Sequence, residues 1–376
     1  MNIAEFLATA SGLLALPSTA DRPAELERAL DYMIDFVGAG FTVERFSSAG
    51  KPSALIYRAP EGKDRAPEGK DGARPRFRVI FNAHLDVVPA DDRLFEPRID
   101  GDRLYARGAH DMKVSALVMA QVFRELAQAL PYPMALQLVT DEEVGGRDGT
   151  LYQLDQGVLA DFVVIGEQSG LDLVTDSKGV TAVTLRAVGR SGHGAYPWQG
   201  DNALVKLITT IMAILGRYPV VTSEAWQTTV NLARIETPNQ ASNQIPDRAQ
   251  AWLDIRYPPD DANFAGRSAG EIASFLRGCC EPGVTPIVER TDPPHHADQG
   301  RPEVLALRAA ARDQGYRGDF LRKHGAADGR FYYQRGIDAV IFGVAGAGLH
   351  GDDEYADITS ITPYYRALTE FLRSIS

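Results

Sequence analysis

The sequence predicts an α/β protein built on a mostly parallel sheet flanked by helices, with an α+β domain of antiparallel strands inserted into it. Three observations carry that prediction. Short apolar segments rich in Val, Ile and Leu alternate with helical stretches in the first half of the chain and again near its end, as when crossover helices join parallel strands. Residues 178–292 change to a period-two alternation of apolar and polar side chains, the mark of half-exposed strands. At 376 residues the chain also exceeds what one ordinary core encloses. The expected boundaries are 1–177 with 293–376 for the first domain, and 178–292 for the insertion.

The elements follow in order. Ile3, Phe6, Leu7, Ala10, Leu13 and Leu14 recur at three-four spacing and predict an amphipathic helix. The apolar run at 7–16 does not read as a signal peptide, because Glu5 stands where a positive n-region belongs. A short strand is expected at 53–57. The seven residues Arg58 to Asp64 are then repeated as Arg65 to Asp71, without apolar periodicity, which predicts a duplicated surface loop. Residues 78–83 predict a strand, 111–130 a long apolar helix, and 134–139 and 161–165 two further buried strands. In the insertion, 179–186, 230–235 and 249–257 alternate as strands, and 201–215 carries Leu204, Leu207, Ile208, Ile211 and Leu215 on one helical face. Residues 338–342 return to the parallel sheet and 359–374 form a closing helix.

Composition narrows the function classes. A net charge of −11 and the lack of a basic stripe with interleaved aromatics argue against nucleic acid as a partner. No apolar run approaches the ~20 residues of a membrane span. Cys279 and Cys280 are the only two cysteines and are adjacent, which suits neither a disulfide scaffold nor thiolate zinc, and fits a reducing, cytoplasmic setting.

The chemistry gathers at the ends of the predicted strands. Thr140-Asp-Glu-Glu-Val-Gly-Gly146 sets three carboxylates side by side directly after a buried strand, a costly arrangement unless something positive compensates it. His84, in His84-Leu-Asp86, ends the strand at 78–83. Asp86 is placed to hold the far nitrogen of that imidazole. Asp111 opens the helix at 111–130, Glu167 follows the strand at 161–165, and His350 lies just past the strand at 338–342. Ligands of open parallel sheets bind at the carboxyl ends of the strands. Two imidazoles and three carboxylates there form a mixed N/O set suited to two divalent ions, zinc first, and the ions would supply the missing positive charge.

These motifs, Ala83-His-Leu-Asp86, Gly108-Ala-His-Asp-Met-Lys113, Thr140-Asp-Glu-Glu143, Gly166-Glu167 and Leu349-His350, resemble in order those of the M20 metallopeptidase family. That family includes acetylornithine deacetylase, succinyl-diaminopimelate desuccinylase, aminoacylase and glutamate carboxypeptidase. The resemblance implies a zinc-exopeptidase-like catalytic domain, a lid or dimerisation domain at 178–292, and a homodimer. It makes His84, Asp111, Glu143, Glu167 and His350 the ligands, with Asp111 bridging. Glu167 and His84 then share one ion, Glu143 and His350 the other. Zinc is the first choice, with cobalt or manganese able to replace it. Glu142 becomes the catalytic base and Asp86 the support of His84.

In the lid, Ser191-Gly-His-Gly-Ala-Tyr-Pro197 resembles the family's lid-histidine motif and makes His193 an oxyanion donor. Asn243, Arg256 and Arg330, the last in Asp328-Gly-Arg-Phe331, match positions that hold a substrate carboxylate, for which an arginine fork is suited. Gly325-Ala-Ala327 stands where desuccinylases carry Gly-Thr-Ser, a departure that weakens that narrow assignment. The implied reaction is hydrolysis of a small N-acyl amino acid or short peptide, with deacylase and dipeptidase chemistry both open. The rival reading is a metal-binding protein of the same build without catalysis. Gly346-Ala-Gly-Leu-His-Gly351 matches a dinucleotide fingerprint, but Asp352, Asp353 and Glu354 follow at once, where they would repel a pyrophosphate.

Overall fold

The computed structural model describes residues 1–58 and 74–375. Most of the seven-residue repeat lies outside them. The described chain divides into two compact units, Met1–Thr175 with His296–Arg322 and Ala327–Ser376, and Asp176–His295 with Lys323–Ala326.

The first unit is organised by a nine-stranded mixed sheet. Its order is Thr42–Ser48, Lys51–Tyr57, Met134–Val139, Phe77–His84, Ala160–Ile165, Asp338–Ile341, Leu173–Ser177 and His295–His296, with Phe320–Lys323 beside Leu173–Ser177. Its centre is parallel. Phe77–His84 pairs in parallel with both Met134–Val139 and Ala160–Ile165, and Asp338–Ile341 pairs in parallel with Ala160–Ile165. Lys51–Tyr57 pairs antiparallel with both of its neighbours, and Leu173–Ser177 pairs antiparallel with Asp338–Ile341, so the parallel strands that carry the site have an antiparallel pairing on either side.

Side chains leave those central strands alternately to two buried layers. Val79, Phe81, Leu136, Leu138, Phe162 and Val164 enter one layer with the helices, and Ile80, Ala135, Val163 and Ile165 enter the other. The first layer includes Phe6, Ala10, Leu13 and Leu14 of the helix Ile3–Leu14, so the apolar N-terminal run is a core face. Among the described residues no helix is long and apolar enough to cross a membrane.

The second unit has a four-stranded antiparallel sheet in the order Thr229–Glu236, Arg248–Tyr257, Gly179–Val188 and Val284–Asp292. Ala249, Ala251, Leu253 and Ile255 alternate inward and pack with Leu207, Ile211 and Ile214 of the helix Ala203–Arg217. The antiparallel strands predicted here are present, each extended by a residue or two.

One expectation is corrected. The helix expected at 111–130 runs only from Val114 to Leu126. Asp111 does not cap it. It lies in an irregular turn at Ala109–Lys113, with φ −121° and ψ 90°, and its peptide bond to Met112 is cis. Apolar content carried the prediction past both real ends, because the turn at the start is buried for tertiary rather than helical reasons and Ala127 and Leu130 are buried beyond the last helical turn.

Candidate metal centre

Three of the parallel strands bring ligand-type side chains to one end. His84 is the last residue of its strand, Glu142 and Glu143 stand three and four places beyond Val139, and Glu167 stands two beyond Ile165. Asp111 arrives from the irregular turn, and His350 from the loop after the strand Asp338–Ile341 with a left-handed φ of 60°.

These groups meet. Nε2 of His84 lies 3.1 Å from one carboxylate oxygen of Asp111, and Nε2 of His350 lies 3.3 Å from the other. His350 is also 3.4 Å from Oε2 of Glu143. Two sets of donor atoms could each hold an ion, His84 with Glu142 and Glu167, and Asp111 with Glu143 and His350, with all donors of a set within 4.8 Å of one another. Glu142, expected as a base beside the ligands, therefore stands within reach of the first set.

Electrostatics test whether cations fit. Burial and then the charge of Glu167 hold Glu142 well above the usual carboxylate range. Burial lifts Glu143 to about 7 against the opposing pull of His84. Burial would lower His84, but its hydrogen bonds with Asp111 and Asp86 outweigh that and raise it well above its ordinary value. A hydrogen bond with Asp111 raises His350 as well. The polypeptide thus compensates crowded acids with protons, which a divalent cation displaces when it binds imidazole and carboxylate donors. Donor chemistry and charge both fit two such ions.

The turn that carries the glutamates is built from both sides. Asp86, fully buried, receives the backbone N–H groups of Glu142 and Glu143 on its two oxygens at 3.2 and 3.0 Å. Its expected hold on the imidazole comes first through its own backbone carbonyl, 3.0 Å from Nδ1 of His84, with the carboxylate at 3.5 Å. Gly145 and Gly146 follow with φ of 120° and 65°, and a Cβ at Gly146 would lie 2.1 Å from Oδ1 of Asp328. That close approach explains why glycine follows the acids.

Arg330 is 4% exposed and donates from Nη2 to the carbonyl of Gly145 at 2.8 Å. His193 and Asn243 are neighbours in the second unit: His193 lies on Gly192–His193, which pairs with Gln244–Ile245, and Asn243 directly precedes that segment, its carbonyl accepting from the Gly194 N–H at 2.6 Å. His193 is exposed, and its Nδ1 accepts from the N–H of Ala195 at 3.1 Å. Arg256 is half-buried and grips Asp254 through Nε and Nη2 at 2.6 and 3.0 Å. Among the histidines outside the site, His324 lies 3.2 Å from Glu224 and against the Trp226 ring.

Sequence reasoning missed Asp141, Lys113, Arg107 and Glu354. Asp141 is buried, and burial followed by the charge of Asp328 lifts it to about 7. Lys113 is fully buried and donates to the carbonyls of Leu16 at 2.7 Å and Leu13 at 3.4 Å. Glu354 is buried at the end of an acidic run whose Asp352 and Asp353 are exposed. Composition does not distinguish the three.

A model of peptidase family M20/M25/M40 matches residues 80–374. A succinyl-diaminopimelate desuccinylase from Granulibacter bethesdensis is 28% identical over 396 residues, covering 97% of this chain and 97% of that protein. A tripeptidase from Staphylococcus aureus superposes with a TM-score of 0.76 at 17% identity, covering 100% of this chain and 99% of that one. A dinuclear metal-binding peptidase of the M20 family from Bacillus subtilis gives a TM-score of 0.68 at 15% identity, covering 99% and 98%. At these identities the structural likeness is one of fold.

Proposed function

The chain belongs to peptidase family M20/M25/M40, and from that membership we propose a two-metal hydrolase that cleaves the amide bond of a small N-acyl amino acid or short peptide, releasing an amino acid with a free α-carboxylate. The observation that carries this reading is the pair of donor sets, His84 with Glu142 and Glu167, and Asp111 with Glu143 and His350.

Asp111 is suited to bridge, since each of its oxygens faces a different imidazole. His84 and Glu167 would hold one ion, Glu143 and His350 the other. Zinc suits these donors first, and cobalt and manganese accept the same set. When bound, the ions polarise the scissile carbonyl and acidify water. Glu142 belongs to the first donor set by position but is assigned the proton rather than the ion: it accepts the proton of the attacking water and returns it to the leaving amine.

The Nδ1 of His193 accepts from Ala195, so the neutral ring carries its proton on Nε2, the donor suited to a developing oxyanion. Asn243, Arg256 and Arg330 hold the substrate carboxylate. The guanidinium of Arg256 is already oriented by Asp254, and that of Arg330 by the Gly145 carbonyl. Residues 178–292 act as the lid and dimerisation domain of a catalytic domain formed by 1–177 and 293–376. The free thiols of Cys279 and Cys280 support a cytoplasmic setting.

The test is a chelated protein reloaded with zinc, cobalt or manganese. It is assayed on N-acetyl and N-succinyl amino acids and on di- and tripeptides, each beside its α-amide. Both acyl groups belong in the panel because Gly325-Ala-Ala327 lacks the hydroxyls of Gly-Thr-Ser. Turnover is expected only with metal and only with the free carboxylate. Two ions bound without turnover of any substrate would favour a metal-binding protein, and metal-independent turnover would overturn the reading.

A further inference from the structure

Two buried side chains outside the donor sets join the loops that deliver Asp111 and His350. Arg107 and Glu354 are each 3% exposed and form an ion pair with Nη1 and Oε2 2.5 Å apart. Their other atoms hold backbone. Oε1 of Glu354 accepts the N–H groups of His110 at 3.0 Å and Asp111 at 3.1 Å. Nη2 of Arg107 donates to the carbonyls of His350 at 3.0 Å and Gly351 at 3.1 Å.

The grips are crossed. The residue that holds the Asp111 backbone stands four places after His350, and the one that holds the His350 backbone stands four places before Asp111. The side chains of those two gripped residues are the ones that approach each other, with His350 Nε2 3.3 Å from Asp111 Oδ2.

These loops need such support. His84 is fixed by the ladder between its strand and Met134–Val139. Asp111 is buried but lies in non-helical backbone, and His350 is exposed with a left-handed φ, so no regular backbone hydrogen bonding aims their donors. A buried ion pair is a poor source of stability compared with an apolar replacement. Its value lies in direction, because the planar guanidinium serves a carboxylate and two carbonyls at once where an ammonium offers a point charge.

We infer that Arg107 and Glu354 are positioning residues for the metal centre, a crossed clamp that sets the Asp111 carboxylate and His350 imidazole for the ion they share with Glu143. The inference rests on the metal-centre reading above. The other ion shares only the bridging Asp111 with the clamp, since His84 at a strand end and Glu167 two places beyond another lie outside it, and so it depends on the clamp less.

Glu354→Gln and Arg107→Lys in the full chain test it. Glutamine keeps the shape and lysine keeps the charge, so Arg107→Lys carries the test if Glu354→Gln fails to fold. Zinc binding to the chelated protein is followed by calorimetry and metal analysis, with Tm of the chelated protein recorded alongside. The expected result is selective. The ion held by Glu143 and His350 weakens by about 10–100-fold, the usual effect of losing an outer partner of a metal ligand, and the other, reached only through the Asp111 bridge, weakens clearly less. A merely structural pair would weaken both ions together, in step with Tm. Asp111→Asn is the control. If it binds two ions as tightly as the parent, the metal-centre reading has failed. If it loses metal while the clamp variants bind both ions normally, or lose both equally, the clamp is overturned and the metal centre stands.

Discussion

Glu142 and Glu143 are adjacent, share the hydrogen bonds of Asp86, and are assigned different work. Glu142→Gln should retain both ions and lower kcat by at least ~10²-fold, the lower end of what a positioned acid–base group contributes. Glu143→Gln should instead lose affinity for the ion shared with Asp111 and His350, because it removes a charged donor. Metal content of the two purified variants separates these outcomes, and equal loss from both would defeat the division. The acids themselves were legible because three carboxylates after a buried strand pose a charge problem that composition makes visible. Their supports were less so. Nothing in His84-Leu-Asp86 shows that the Asp86 carboxylate turns to the Glu142 and Glu143 N–H groups and leaves the imidazole mainly to its backbone carbonyl. Nor does the run Asp352-Asp353-Glu354 show which acid is buried, since that depends on an arginine 247 positions away.

At the scale of elements, what was legible depended on periodicity. Arg248–Tyr257 buries alternate residues and was found, whereas Thr42–Ser48 alternates only between exposed and half-buried and was not. Helix starts are set by local hydrogen bonds, and these can be tested. Asn202 caps Ala203–Arg217 by accepting from Leu204 and Val205 at 3.0 and 3.1 Å, so Asn202→Ala should lower stability by about 1 kcal/mol in denaturant titration. A second test concerns the helix Pro302–Asp313, tied to the strand Phe77–His84 by Glu303, which meets Arg78 at 2.5 Å and Arg301 at 2.8 Å. Burial raises the pKa of Glu303, but its backbone N–H and the two arginines outweigh burial and lower it. A depressed carboxylate stabilises the fold above its unfolded pKa and loses that contribution as pH falls through the folded value. Glu303→Gln should therefore lower Tm at pH 7, and the gap to the parent should narrow below about pH 4. A gap that stays constant with pH would mean that packing, not charge, is what glutamate supplies there.

At the scale of the whole molecule, the second unit carries a surface that one chain leaves uncovered. Val205, Ile208 and Met212 are 55%, 47% and 62% exposed at helical spacing on Ala203–Arg217. Among the described residues Thr229–Glu236 is an edge strand, paired with Arg248–Tyr257 alone, and it exposes Leu232 and Ile235. An apolar helical stripe and an open sheet edge on the same unit favour self-association through a two-fold axis, because the same patch can meet itself. If the chain pairs through this patch, the parent runs as a dimer in light scattering and Ile208→Glu with Met212→Glu runs as a folded monomer, since both side chains already face solvent. The dimer reading also bears on catalysis, because a lid histidine can serve the partner's site. His193→Ala should keep its metals and its fold and lose most of kcat, and Glu142→Gln is inactive for an unrelated reason. If His193 acts in trans, mixing the two and allowing subunits to exchange restores activity, because one site of each heterodimer unites an intact His193 with an intact Glu142. The same mixture made with the monomeric double-glutamate background should stay inactive. Subunits that demonstrably exchange yet remain inactive would place His193 at its own chain's site.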